Sequence, residues 1–146
     1  MTALYDHYGV QFQFPENWEL QDDRSDDWPK LISVHNATGA FWSLTIYEDV
    51  EPPVRVVQQA VDAMREEYED VEQHPLDLEL VDTPLHGVEL QFYCLDFLVQ
   101  SRLMTGIVEH RTFLVTWQAE DRDFDEMEPV FRAITVSFLR NQTPST

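Results

Sequence analysis

A chain of 146 residues with 43% hydrophobic and 12% aromatic side chains has the size and composition of one globular domain that builds its own core. Its 28 Asp and Glu against 9 Lys and Arg leave a net charge of −19. With Lys30 the only lysine, the chain cannot assemble the basic stripe that nucleic-acid binding needs, and anionic membrane surfaces are disfavoured too. Basic proteins, cationic peptides and divalent cations remain compatible with that charge, as does a surface that is acidic only for solubility.

Tyr8 to Trp18 alternates apolar and polar residues as one half-buried strand, then stops at Pro15 and a turn, with Val10, Phe12, Phe14 and Trp18 anchoring one edge of a core. Residues 19–30 are polar and acidic and read as a loop. Leu31 to His35 and Phe41 to Tyr47 resume strand character, joined at Asn36-Ala37-Thr38-Gly39, whose Asn and Gly supply the left-handed conformations of a tight hairpin. In the second strand Trp42, Leu44 and Ile46 share one face, and Phe41, Ser43, Thr45 and Tyr47 the other.

Pro52-Pro53 opens a helix whose stripe is Val54, Val57, Val61, Met64, Tyr68 and Val71, ending at His74-Pro75 after roughly five turns. Leu76, Leu78 and Leu80 alternate with Asp77 and Glu79 as a strand with one wet face. A turn at 83–87 leads to two long strands, 88–99 and 102–118, around Gln100-Ser101. The apolar phase slips near Cys94, which predicts either a bulge there or a strand covered on both faces. Apolar residues on both sides of 112–117 point to a sheet with helices on both faces. The last helix carries Met127, Val130, Phe131, Ile134 and Phe138, with Asp125 and Glu128 at capping-box spacing, Pro129 near the start, and 141–146 a polar tail.

Three strands, a helix, three strands and a helix, opening on Tyr8-Gly9-Val10-Gln11-Phe12-Gln13-Phe14-Pro15-Glu16-Asn17-Trp18 and closing on Pro129 to Phe138, resemble the Mog1/PsbP-like superfamily over about Tyr8 to Leu139. The resemblance implies an α+β domain, an antiparallel sheet sandwiched by helices, spanning 1–146 as one unit. It also implies a protein that binds other proteins without turning over a substrate. Its relatives include a partner of the GTPase Ran, an extrinsic photosystem II subunit and chaperone-like proteins that load secreted effectors. No binding motif of those relatives maps onto these residues one by one.

A search for chemistry supplies little that convergent catalysis would need. Asp121-Arg122-Asp123-Phe124-Asp125 begins like a calcium loop, but Glu126 stands where glycine is required and Arg132 where a bidentate glutamate is required. The reading is therefore an acidic helix start. Asp22, Asp23, Asp26 and Asp27 form an acidic loop that a divalent cation could visit. Cys94 is the only cysteine, which leaves no internal disulfide, and Phe92-Tyr93-Cys94-Leu95 suggests an inert buried thiol. With no glycine-rich phosphate loop, no Gly-x-Ser-x-Gly elbow and five dispersed histidines, the chain is read as no enzyme, without a catalytic residue, metal or cofactor. His110 alone is a weak pocket candidate, facing a cavity beside Tyr93 or Trp117.

One local rule is broken. The first helix finishes on Glu66, Glu67, Glu69 and Asp70, where the helix dipole disfavours acids, and only Arg65 to Glu69 compensates. Such violations gather at functional surfaces. The expectation is that this end docks a basic or amphipathic protein segment, and that Trp42, Tyr47, Tyr93 and Trp117 line a partly uncovered sheet face as a second docking surface. The whole reads as a cytoplasmic adaptor or chaperone-like binding module. The alternative is a small-ligand or divalent-metal-binding protein using a pocket between sheet and helix.

Overall fold

The computed structural model describes residues 1–22 and 26–142. β1 (Thr2–His7) and β2 (Val10–Pro15) form a separate antiparallel hairpin. β3 (Glu19–Asp22), β4 (Lys30–His35) and β5 (Phe41–Ile46) precede α1 (Pro53–Glu67); β6 (Glu72–Leu80), β7 (Thr83–Cys94), β8 (Phe97–Val108) and β9 (Arg111–Glu120) precede α2 (Asp121–Gln142). Seven strands make one antiparallel sheet in the order β3-β4-β5-β9-β8-β7-β6. Residues 23–25 and 143–146, including Asp23 of the acidic loop and most of the expected polar tail, lie outside the described residues.

The double-sided apolar pattern has the expected cause. One face of the sheet carries Trp42, Leu44, Ile46, Phe113, Val115 and Trp117, sealed by Phe124, Phe131, Ile134 and Phe138 of α2 and by Tyr5, Val10, Phe12 and Phe14 of the β1–β2 hairpin. The other carries Val88, Leu90, Phe92, Val99, Leu103 and Leu114, sealed by Val56 and Val61 of α1. Register fixes which residues share a face: Trp42 lies directly opposite Trp117 and Leu44 opposite Val115. Because α1 packs against β7, β8 and β9, the same face over β3, β4 and β5 is left as an open strip with a shallow groove of about 430 Å³ lined by Leu31, Ser33, His35, Phe41 and Ser43.

The α+β class stands, with more strands than periodicity suggests: five before α1 and four after it. β1 and β3 are additions. The phase slip at Cys94 is neither a bulge nor the middle of a strand, because the chain turns at Leu95-Asp96 and Cys94 pairs with Phe97. Gln100 and Ser101, expected at the turn, sit inside β8, and residues 83–87 belong to β7, the preceding turn being Val81-Asp82. These turns escape the sequence because they lack Gly: Val81 (φ 50°), Asp82 (φ 57°), Leu95 (φ 57°), Glu109 (φ 48°) and His110 (φ 66°) adopt left-handed conformations that usually call for Gly or Asn.

Both helices begin or end away from their expected limits. α1 stops at Glu67, two turns before His74-Pro75, so Glu69 and Asp70 lie in the following turn, with Asp70 at φ 54°. Its stripe is also rotated: Val56 is buried, whereas Val54 is 78% exposed. α2 begins at Asp121, four residues before Asp125, because β9 feeds straight into it. Phe124 thereby joins the core, Asp121 and Asp123 complement the first turn, and Pro129 falls inside the helix, where it leaves the carbonyl of Asp125 without its i+4 donor.

Candidate functional site

The tertiary structure divides the eight expected surface residues and His110 into three groups. Trp42 and Trp117 are fully buried, so the aromatic docking face they were to line does not exist in that form. Both indole N–H groups donate 2.9 Å bonds to the hydroxyl oxygen of Thr135, which in turn donates 2.9 Å to the carbonyl of Phe131. A threonine hydroxyl offers two acceptor lone pairs and one donor, so this buried trio is completely satisfied. Two β-strand tryptophans are thus held side by side against α2.

Tyr47 is half-buried, and desolvation together with the charge of Glu51 holds its hydroxyl above the usual tyrosine range. It sits at the opposite end of α1 from the acidic terminus, and its backbone N–H is bonded to the carbonyl of Thr112. His110 is not in a strand facing a cavity. It is exposed in the two-residue turn joining β8 to β9, because Val108 and Arg111 close that hairpin. Among the described residues, no three or more His, Cys, Asp or Glu side chains converge as a metal-holding group. His35 and His86 each meet a single carboxylate, Glu19 and Asp77, at 3.0 Å.

The four acids come together with the β7–β8 hairpin tip at one corner, whereas Tyr93, alternating with Phe92 and paired with Leu98, lies on the opposite face of the sheet. Tyr68, directly after α1, stacks on Phe92 of β7 with ring centroids 4.3 Å apart, which brings the end of the helix to the tip of the β7–β8 hairpin. Burial, then the charge of Glu67, then Cys94 raise the Tyr68 hydroxyl above its ordinary range. Glu66, Glu67, Glu69 and Asp70 all stand exposed around a shallow polar groove of about 690 Å³ bounded by residues 65–71. Arg65 does not neutralise Glu69 as expected. Its guanidinium turns to β6, donating 3.0 Å to the carbonyl of Val71 and 2.9 Å to the side chain of Gln73. The four carboxylates are therefore left facing solvent.

The hairpin tip supplies what was missing from the sequence reading. Tyr93 is 64% exposed, Leu95 89% and Phe97 51%. Asp96 stands between the last two, and Asp121 and Glu120, the latter paired with Arg122 at 3.2 Å, border the same spot in a cleft of about 240 Å³ shared with Phe97 and Leu98. An apolar knob, with its crest residue Leu95 at positive φ, thus sits among acids. The signal that could have found it is Tyr93-Cys94-Leu95-Asp96-Phe97 itself, since two apolar phases meeting head to head mark a turn between them. Cys94 is half-buried there, less sequestered than its apolar neighbours suggest.

A second groove of about 340 Å³ runs between β2 and α2, lined mainly by Phe14, Pro15, Pro129, Val130, Ala133 and Ile134. The hairpin is tied to α2 beside it by the Gln13 backbone N–H donating 2.8 Å to Ser137. Among the described residues, no helix is long and apolar enough to cross a membrane.

No family model matches the chain, and no curated protein matches it. Solved structures do. Cyanobacterial PsbP (CyanoP) from Synechocystis superposes with a TM-score of 0.64 at 11% identity, over 93% of this chain and 90% of its own. PA94, a protein of unknown function from Pseudomonas aeruginosa, superposes with a TM-score of 0.51 at 12% identity, over 99% and 98%. At such identities the likeness concerns architecture. With its seven-stranded antiparallel sheet packed by two helices, the chain has the Mog1/PsbP-like fold.

Proposed function

We propose that this protein is a non-enzymatic binding module whose acidic corner docks a basic, partly apolar segment of another protein. The observation that carries the reading is the apolar hairpin tip of Leu95 and Phe97 set beside four solvent-facing carboxylates, Glu66, Glu67, Glu69 and Asp70. Either feature alone is ordinary. Their adjacency is not, because an apolar patch provides affinity and a one-signed rim provides orientation and on-rate. The corner also breaks two local rules at once, with acids at a helix carboxyl end and leucine at the left-handed position of a tight turn. The net charge of −19 supports a basic client over a second copy of the chain. A half-exposed, unpaired Cys94 is in keeping with a reducing, cytoplasmic address.

The test is affinity capture from native cytoplasm at low and high salt, with the wild type beside the Glu66→Lys, Glu67→Lys, Glu69→Lys variant. A docked basic client is expected to weaken by tenfold or more both on charge reversal and on screening. Capture that ignores both changes would remove the reading.

A further inference from the structure

Among the described residues no strand pairs with the outer edge of β6, and that edge carries a different and more specific recognition surface. We propose that it accepts an extended segment of a partner protein as an eighth, antiparallel strand, and that this segment alternates basic and apolar side chains. β6 is the terminal strand of the sheet, and at nine residues it is long for an edge.

The hairpin geometry determines where its backbone points. β6 and β7 are joined by the two-residue turn Val81-Asp82, so Leu80 and Thr83 close it as a hydrogen-bonded pair. Alternation then makes Leu78–Leu85 and Leu76–Gly87 hydrogen-bonded pairs, and leaves Glu79–Pro84, Asp77–His86 and Pro75–Val88 as the non-bonded ones. Both prolines fall at positions where the β6–β7 ladder needs no N–H; Pro75 leaves the outer edge without a donor at that point, which confines the docking stretch to Leu76 to Leu80. The N–H and C=O groups of Asp77 and Glu79 consequently face away from β7, in the direction an added strand would approach.

The side chains specify the newcomer. Leu76 and Leu78 are only half-buried at the margin of the core, on the face that also holds Leu80 and Leu85. On the opposite face Asp77, whose carboxylate also lies 3.0 Å from Nδ1 of His86, and Glu79 are exposed. An incoming strand placing lysine or arginine across from Asp77 and Glu79, and an aliphatic residue across from Leu76 and Leu78, extends the core and pairs its charges in one register. A second copy of β6 is a poor occupant. Antiparallel pairing about Leu78 would set Asp77 directly against Glu79 on the same face, between chains that each carry a net charge of −19.

The test uses the full chain and a nine-residue peptide of alternating lysine and valine, acetylated and amidated, titrated by calorimetry. Two further peptides carry N-methyl groups on the lysines or on the valines. Lysine methylation blocks the amides that would face β6 and is expected to weaken binding at least tenfold. Valine methylation leaves those amides intact and is expected to change affinity less than threefold. Asp77→Lys with Glu79→Lys, at exposed positions, is expected to lose at least tenfold while keeping the wild-type far-ultraviolet circular dichroism and a single cooperative unfolding transition. The Glu66→Lys, Glu67→Lys, Glu69→Lys variant should keep the peptide, so the edge and the acidic corner stand or fall separately. Equal affinity of the two methylated peptides, selectivity in the reverse sense, or no binding by any peptide overturns the proposal.

Discussion

Thr135 shows how much one buried hydroxyl can organise. It accepts from Trp42 and Trp117 and is wholly buried, so Thr135→Val, nearly isosteric, should strand two indole N–H groups without a partner. At about 1–3 kcal/mol for each unsatisfied buried donor, the expected loss is about 2–6 kcal/mol of unfolding free energy in a denaturant titration. Thr135→Ser, which keeps the oxygen and removes one methyl, should cost about 1 kcal/mol. A Val variant as stable as the Ser variant would contradict this account. The tryptophans read correctly as sharing a strand face, but a tryptophan on an amphipathic strand looks the same whether solvent or α2 covers it. The hydroxyl that settled the matter is 93 residues from Trp42 in sequence.

At the level of elements, the turns and the close approaches carry the consequences. Gly87 has no room for a side chain: a Cβ there would lie 1.9 Å from the carbonyl oxygen of Leu103 on β8. Gly87→Ala should therefore force β7 and β8 apart and destabilise by at least about 2 kcal/mol, read as a lowered midpoint in urea. The β7–β8 turn points the other way. Replacing Leu95 by Asn substitutes a residue suited to left-handed geometry and should raise the melting temperature, since relieving one such strained position is worth about 1–3 kcal/mol. The same change removes the most exposed residue of the apolar knob, so client capture should fall while stability rises. Falling stability would show that Leu95 is retained for folding. The hairpins between β6 and β9 were only partly legible because Val81, Leu95 and Glu109 give no turn signal; α1 ends early at an extended Tyr68 that no Gly or Pro announces, and α2 begins early because β9 runs straight into it.

For the molecule as a whole, charge is the dominant variable. A four-member ion network joins β7, β8 and α2: Arg102 meets Glu89 at 3.0 Å and Glu128 at 3.6 Å, and Arg132 meets Glu128 at 2.9 Å. The hydrogen bond from Arg132, helped by the charges of Arg102 and Arg132, holds the Glu128 carboxyl below its ordinary value of 4.5 despite partial burial. A carboxylate with a depressed folded value stabilises above the unfolded value and loses that contribution as pH falls through the folded one. The wild type should therefore lose stability more steeply than Glu128→Gln below about pH 4.5. Parallel acid titrations of the two proteins would contradict this. Near neutrality the effect of salt has the opposite origin: screening the self-repulsion of a −19 chain should raise the melting temperature as sodium chloride increases, and no change would mean the acids are too dispersed to interact. The sequence by itself determined the α+β class, the helix-covered double-sided sheet, the alternation that buries Val10, Phe12 and Phe14, and the acidic surface, because periodicity and charge are local properties. Only the tertiary structure decided that Trp42 and Trp117 are core, that His110 is a turn residue, that Leu95 and Phe97 join Glu66 and Glu67 at one corner, and that β6 is an edge. Each of those depends on strand order and register, which are set by contacts between residues far apart in the chain.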